Sequence, residues 1–130
     1  VMISTVTGVA PFVSMVRNYL NNPSEKDNFL ILEGASFIDE FGYHEELQEI
    51  ASKNENIKYI PTCSKPEDLK NKNWNGEKGR VNNILSKYVN SGLKSKKTLI
   101  YACGHPEMVK DVKRQVSDEF NVIEERFWKS

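Results

Sequence analysis

The sequence predicts an α/β fold: a three-layer, doubly wound open parallel sheet of five strands in one domain. Short apolar runs alternate with segments of helical period along the chain, as in sheets whose parallel strands are joined by helices. Two of the runs end in a glycine-containing turn followed by proline, at 7–11 and at 103–106. A length of 130 residues suits a single core.

The strands are predicted where branched and aromatic residues cluster between turn signals. Five runs meet that description, at 1–5, 29–32, 57–60, 98–102 and 121–123. With right-handed crossovers, the commonest small arrangement of such a sheet has the strand order 3-2-1-4-5.

Four segments with apolar residues at helical spacing are predicted to cover the sheet as helices. They are 12–20, 43–51, 81–89 and 106–116. Pro106 suits the first turn of the last helix, because a proline there gives up no hydrogen bond.

Two long polar connections, 34–42 and 63–79, leave the carboxyl ends of the second and third strands. Long loops at that edge of a parallel sheet often carry function. Within the second connection, the run 70–73 is interpreted as solvated surface.

The composition argues against several classes of partner. Eighteen basic residues balance eighteen acidic ones, so no long-range field attracts nucleic acid or an anionic membrane. No apolar stretch reaches the ~20 residues of a membrane span and no targeting segment precedes the first strand, so a cytoplasmic protein without membrane insertion is expected. Cys63 and Cys103 are expected to be reduced thiols, and with His44 and His105 they lack the spacing of a zinc site, so no metal is expected.

The first corner is Thr7-Gly8-Val9-Ala10-Pro11. Pro11 is predicted to begin a helix, and the amides of Val9 and Ala10 precede it. Unpaired amides and the positive end of the helix dipole favour an anion, so a pyrophosphate is expected here. The segment has a single glycine and is not the G-x-G-x-x-G fingerprint, and an ordinary tight turn explains it equally well.

The second corner is centred on Cys103, which is predicted to end the fourth strand, next to the first strand in the proposed order. Gly104 allows another backbone or a ring to approach closely. A buried thiol that only packs is the alternative. The central prediction is that the two corners meet in one cleft and together hold a dinucleotide.

These motifs resemble those of the nucleotide-binding domain of the ferredoxin-NADP reductase family of flavoenzymes. That family carries T-G-x-x-P after its first strand and C-G-x-P-x-M after its fourth, which match 7–11 and 103–108. The segment 124–128 resembles the acidic residue and aromatic near the family's chain end. The resemblance covers essentially the whole chain.

The resemblance implies that a pyridine nucleotide lies across both corners, with its nicotinamide near Thr7 and Cys103. Trp128 would stack near the flavin ring, although two residues follow it where bacterial reductases often stop. Catalytic roles are implied for Cys103, Glu125 and Trp128. Cofactor-binding roles are implied for the corner residues Thr7, Gly8, Val9, Ala10, Pro11, Cys103, Gly104, His105, Pro106 and Met108.

The ribose end of the cofactor is implied to lie beyond the third strand. Ser64 and Lys65 stand in the place of the family's Ser-Arg segment, and Arg80 belongs to a resembling G-R-V corner. A serine and two cations suit a 2′-phosphate, so NADP is favoured. Lysine is a weaker clamp than arginine, and NADH-using relatives share the Gly-Arg pair, so NAD stays an alternative.

Val6 departs from the family pattern, because many relatives have glycine there. If the position requires positive φ, a β-branched residue is strained by about 1 to 2 kcal/mol. Ordinary β geometry with a narrower pocket is the alternative.

The sequence therefore favours a flavoprotein reductase that transfers a hydride between NADPH and FAD and passes electrons to ferredoxin, flavodoxin or a similar acceptor. We expect the chain to start within a longer polypeptide, whose upstream barrel holds most of the FAD. An NADH-dependent oxygenase reductase component and a flavodoxin-like FMN carrier stay open, the latter because 4–8 also resembles a T-x-T-G loop. A nucleotide sensor without chemistry would keep the same pocket.

Overall fold

The computed structural model describes residues 1–22, 27–89 and 97–126. Within these ranges, six strands form one parallel sheet and four α-helices cover it. The strands are β1 (Met2–Thr5), β2 (Phe29–Ala35), β3 (Ile57–Cys63), β4 (Glu77–Lys78), β5 (Leu99–Gly104) and β6 (Asn121–Arg126). The helices are α1 (Ala10–Asn21), α2 (His44–Lys53), α3 (Val81–Tyr88) and α4 (Pro106–Val116).

The strand order is β4-β3-β2-β1-β5-β6. The five predicted strands occur in the predicted order, so the fold class is confirmed. The additional strand, β4, has two residues, too few for any sequence period to show. It pairs with Thr62 and Cys63 at the end of β3, and the Trp74 indole donates a 2.7 Å hydrogen bond to the Glu77 carbonyl.

Both faces of the sheet are buried, which gives the three layers. Neighbouring residues of β1 and β2 point to opposite faces, as the strand period of two requires. Ile3 packs with α3 and α4 in one apolar cluster, whereas Met2 packs with α1 and α2 in the other. The carboxyl ends of the strands are left as the open edge, where ligands bind in such sheets.

Strands β2 and β3 extend three residues beyond their predicted ends, and each extension contains an atypical residue. Glu33 is a charged residue in a buried strand, where sequence patterns indicate an end. Pro61 lacks an amide proton, but residues of β3 before Thr62 pair with β2 alone, so the proline occupies a section with one free side. Strand β6 likewise runs on from Ile123 to Arg126.

In the described part of the chain, no helix combines the length and apolar character that crossing a membrane requires.

Candidate functional site

The two corners lie against each other at the carboxyl edge of the sheet. A Cβ on Gly8 would lie 2.8 Å from the backbone carbonyl carbon of Cys103 and 3.1 Å from the Cα of Gly104. A Cβ on Gly104 would in turn lie 3.0 Å from the backbone nitrogen of Thr5. The amide of His105 donates a 2.9 Å hydrogen bond to the Thr5 hydroxyl. The corners therefore pack directly against each other.

The first corner turns sharply because Val6 has a φ of +45°. This is the left-handed region, so the strained alternative considered for Val6 is the observed one. A 3-10 turn follows at Val6–Val9 and continues directly into α1. The helical stretch thus begins earlier than the predicted start at Pro11, and the amides that open the turn become its foremost donors.

The second corner is shaped by Gly104 and capped by His105. Gly104 has a φ of +137°, which only glycine adopts readily. The Nδ1 atom of His105 accepts a 3.1 Å hydrogen bond from the Glu107 amide, and Pro106 occupies the first turn of α4 as predicted. The helix therefore starts at the cleft with a side-chain cap.

Cys103 and Glu125 come together at this corner. They are registered neighbours on β5 and β6, and the Cys103 thiol is almost fully buried. Burial, and then the negative charge of Glu125, raise the pKa of Cys103 to about 11. The thiol is therefore protonated at neutral pH and is a weak hydrogen-bond donor rather than a nucleophile.

Four of the predicted cofactor-binding residues belong to the protein core, and one of them, Cys103, is 3% exposed in the cluster formed with α1 and α2. Val9 is fully buried among the side chains of α1 and α2, and Met108 is buried in the cluster formed with α3 and α4. Pro106 is buried as well. Their side chains pack the helices onto the sheet, and a role toward a cofactor stays a prediction. Trp128 lies outside the described residues.

A buried carboxylate lies beneath the first corner. Glu33, which is 0% exposed, accepts hydrogen bonds from the Gly42 amide at 3.0 Å and the Tyr59 hydroxyl at 2.6 Å. Burial raises the pKa of Glu33 to about 7, although both hydrogen bonds favour the charged form. The Tyr59 hydroxyl also lies 3.1 Å from Nδ1 of His44, whose pKa burial lowers. The Gly42 loop lies close to the first corner, since a Cβ on Gly42 would be 3.3 Å from a Val9 methyl. The hydrogen bond from the Gly42 amide to Glu33 therefore holds this loop against the corner.

The end of β3 carries the predicted ribose-phosphate residues. The Lys65 ammonium lies 5.3 Å from the centroid of the Phe37 ring, and the Lys70 ammonium lies 5.0 Å from the same centroid. The hydroxyl groups of Ser64 and Ser36 are 3.4 Å apart. Two cations and two hydroxyls therefore belong to one surface formed by the loops after β2 and β3.

Arg80 is exposed at the start of α3. Cys63 at the end of β3 pairs with Lys78 at the end of β4. Lys65 lies two residues after Cys63, and Arg80 lies two residues after Lys78. Both residues consequently leave the same edge of the sheet at neighbouring strands.

Asn71 corrects the interpretation of the run 70–73 as solvated surface. Its side chain is 1% exposed, whereas the other three residues of the run are exposed. It bonds to three backbone groups of two loops, of Ser36, Ile38 and Lys65. Buried backbone groups need such partners, but these partners are remote in sequence, so no local pattern indicates them.

The sequence reasoning missed Phe37, Lys70, Asn71 and Glu33. A signal existed for the first three, since they lie in the long loops predicted at the ligand edge, but it did not single out Asn71 from its neighbours. Glu33 shows only as a charge inside an apolar run.

Glycine corners that meet above the carboxyl edge of a doubly wound parallel sheet define a nucleotide-binding domain. Residues 2–114 match the family model of the oxidoreductase NAD-binding domain, and the chain belongs to that family. The predicted NAD(P)-binding class is thereby confirmed. No observation favours the flavodoxin-like FMN carrier.

Two curated relatives illustrate the match in sequence. NADH-cytochrome b5 reductase 2 of Aspergillus oryzae is 28% identical over 106 residues, which cover 81% of this chain and 32% of the relative. The flavoprotein alpha-component of the NADPH sulfite reductase of Buchnera aphidicola is 30% identical over 123 residues, which cover 93% and 19%. The chain spans less than a third of either relative.

Solved structures of reductases share the fold. The cytochrome b5 reductase domain of Ulva prolifera nitrate reductase aligns with a TM-score of 0.79 at 20% identity, over 95% of this chain and 47% of that one. A ferredoxin NADP⁺ reductase from Neisseria gonorrhoeae, solved with FAD and NADP, aligns with a TM-score of 0.76 at 20% identity, over 98% and 55%. The resemblance stated from the sequence motifs is confirmed.

Proposed function

We propose that this chain is the pyridine-nucleotide domain of a flavoprotein reductase, in which a hydride passes between NADPH and FAD. The observation that carries the proposal is the contact between the Gly8 and Gly104 corners. It joins a helix-start anion site and a cysteine-glycine corner into a single cleft. The names of the relatives include both NADH and NADPH enzymes, so the residues of this chain have to decide between the cofactors.

The donor set at the end of β3 fits the 2′-phosphate of NADP. A phosphate dianion takes charge-assisted hydrogen bonds from ammonium groups and hydroxyls. Ser64, Lys65 and Arg80 are proposed to bind it, as the sequence predicts, and Lys70 is added because its ammonium lies over the same ring as that of Lys65.

The first corner is proposed to bind the pyrophosphate. Thr7, Gly8, Val9, Ala10 and Pro11 span the 3-10 turn and the start of α1. The free amides and the dipole at a helix start both attract an anion. A side chain on Gly8 would enter the backbone of the second corner, so this approach of the corners requires glycine.

The second corner is proposed to receive the nicotinamide ring. The missing side chain of Gly104 lets this corner pack closely against Thr5, and the exposed His105 lies beside it. Since the Cys103 thiol stays protonated, it offers a compact contact without forming a covalent bond. Glu125, exposed and registered with Cys103, is proposed to carry protons between the cleft and water. The hydride chemistry itself belongs to NADPH and FAD when they are bound.

The remaining parts of the proposal concern the rest of the protein. A flavin-binding domain of the same polypeptide would hold the FAD, and Trp128 would stack near its ring. The electrons would pass to a small redox protein such as ferredoxin or flavodoxin, in the cytoplasm. The relatives support a flavoprotein, since one of them is named as a flavoprotein component.

Calorimetric titration with NADP⁺ and NAD⁺ tests the assignment of the cofactor. Lys65→Ala and Arg80→Ala should each weaken NADP⁺ binding by about 1.5 to 3 kcal/mol, the scale of a hydrogen bond to a charged group. NAD⁺ binding should be nearly unchanged, because NAD⁺ lacks the 2′-phosphate. Equal losses for both cofactors would remove the 2′-phosphate assignment and favour an NADH-dependent reductase.

A further inference from the structure

Asn71 ties together the two loops that carry the proposed 2′-phosphate ligands. We propose that Asn71 is a positioning residue for this subsite: it orders Phe37 and Lys65, and it thereby sets the affinity for a ribose 2′-phosphate. The inference rests on the proposed preference for NADP and assigns a role to a residue that does not itself contact the ligand.

The Asn71 side chain makes three hydrogen bonds, all of them with backbone groups. Its Oδ1 atom accepts from the Ile38 amide at 2.9 Å. Its Nδ2 atom donates to the carbonyl oxygens of Ser36 at 2.9 Å and of Lys65 at 2.8 Å. A carboxamide has two N–H donors, and both have a carbonyl partner here. Only this orientation of the amide works, because a flipped one would place its oxygen against two carbonyls.

These bonds clamp the backbone on both sides of Phe37. One reaches the residue before it and another the residue after it, and the Phe37 amide donates to Glu40 Oε1, so Asn71 and Glu40 together hold the backbone that carries the ring. The third bond joins Lys65, in the loop after β3, to the same side chain. The Lys65 ammonium then lies 5.3 Å from the centroid of the Phe37 ring.

Lys70 is brought to the ring by the same turn. It directly precedes Asn71 in the short 3-10 turn Leu69–Asn71, which Asp68 caps by accepting a 2.9 Å hydrogen bond from the Lys70 amide. The Lys70 ammonium lies 5.0 Å from the ring centroid. Since each ammonium is about 5 Å from one point, the two are at most about 10 Å apart. The turn therefore places a second cation at the same ring as Lys65.

The role is separate from the stability of the core. Asn71 belongs to neither apolar cluster, and β2 and β3 pair along their whole length without it. Without the Asn71 side chain, the two loops keep the Ser64 bonds to Ala35 and Ser36 but lose the ties at Ile38 and Lys65, and a ligand has to order these segments on binding. That cost falls on the 2′-phosphate contacts, because Lys65 and Lys70 are the groups that become disordered.

Calorimetric titration of the protein with 2′,5′-ADP and with 5′-AMP tests the proposal, because the two probes differ by the 2′-phosphate. Asn71→Ala should lower the affinity ratio of 2′,5′-ADP to 5′-AMP by roughly tenfold, the order expected when two side chains must be ordered on binding. Asn71→Asp keeps the acceptor for the Ile38 amide but sets a carboxylate against two carbonyls, so its ratio should fall at least as far. Asn73→Ala is the matched control: this exposed asparagine lies two positions away and should leave the ratio unchanged.

The outcomes separate this inference from the proposed function. If Lys65→Ala lowers the ratio while Asn71→Ala and Asn71→Asp leave it within twofold, the positioning role is wrong and the NADP assignment stands. If Lys65→Ala leaves the ratio unchanged, the NADP assignment itself is wrong. If Asn71→Ala does not melt cooperatively, Asn71→Asp supplies the measurement. Failure of both variants to fold would overturn the inference, because it assigns Asn71 to the order of the subsite and not to the stability of the domain.

Discussion

Replacing Gly8 with alanine perturbs the two corners at the point where they touch. The new Cβ would lie 2.8 Å from the carbonyl carbon of Cys103, whereas ordinary contacts of a Cβ begin at 3.4 Å. The Cys103 carbonyl oxygen lies still closer to that Cβ, so the corners would have to separate by more than about 0.6 Å, the difference between these two distances. The carbonyl cannot move freely, because Cys103 is paired with β1 on one side and with β6 on the other.

Forced overpacking of this kind costs about 1 to 3 kcal/mol, and we expect the upper end because the obstructing atoms are backbone. The smaller conformational freedom of alanine in the unfolded chain offsets about 0.4 to 1 kcal/mol. A net loss of about 2 kcal/mol in the free energy of unfolding remains, which lowers the Tm by about 8 °C in a domain of this size. NADP⁺ affinity should fall as well, because the proposed cleft opens.

Denaturant unfolding and NADP⁺ titration of the same samples measure both effects. Gly42→Ala is the control, since its Cβ would come no closer than 3.3 Å to its nearest neighbour from another segment, a Val9 methyl. We expect Gly42→Ala to stay within about 1 kcal/mol of the wild type. Equal stabilities of the Gly8 and Gly42 variants would refute the interlocked corners.

Three further predictions concern Val6, Glu33 and Cys103. Because Val6 has positive φ, the free energy of unfolding of Val6→Gly should exceed that of Val6→Ala by about 1 kcal/mol in denaturant unfolding, the reverse of the usual order. A more stable alanine variant would contradict the backbone strain at Val6. The pKa of Glu33 is raised from 4.5 to about 7, so its contribution to stability is complete below pH 4.5 and is lost as pH rises through 7. Glu33→Gln should therefore flatten the dependence of the free energy of unfolding on pH between pH 5 and 8, and should raise that free energy by about 2 to 3 kcal/mol at pH 8. An unchanged pH dependence would exclude Glu33 as its source. The raised pKa of Cys103 predicts that iodoacetamide does not alkylate Cys103 in the folded protein at pH 8 but alkylates it rapidly in denaturant, which mass spectrometry can follow. Fast labelling of Cys103 in the folded protein would contradict a buried, protonated thiol.

The strand order followed from the sequence because each element carried its own local signal. Apolar runs and helical spacing alternate, and a parallel sheet with short connections has few topologies. Strand β4 carried no such signal, since two residues cannot show a period. The ends of β2 and β3 were misplaced because Glu33 and Pro61 are atypical inside strands, and only the neighbouring elements explain them.

The corners were also readable from sequence, because glycine and proline at a strand end restrict the backbone in known ways. For Val6 the sequence left two alternatives, positive φ or ordinary β geometry, and the structure shows positive φ. The ties between loops could not be predicted. Asn71 bonds to residues 6 to 35 positions away, and nothing in its own neighbourhood distinguishes it from the exposed Asn73.

Amide chemical shifts of the protein titrated with NADP⁺ test the shared cleft most directly. We expect the largest changes at Gly8 and at Gly104, with a second group at Ser64 and Lys65. Amides at the amino ends of the strands, such as that of Lys58, should not move. Changes confined to one corner, or centred on the amino edge of the sheet, would contradict a single dinucleotide bound across both.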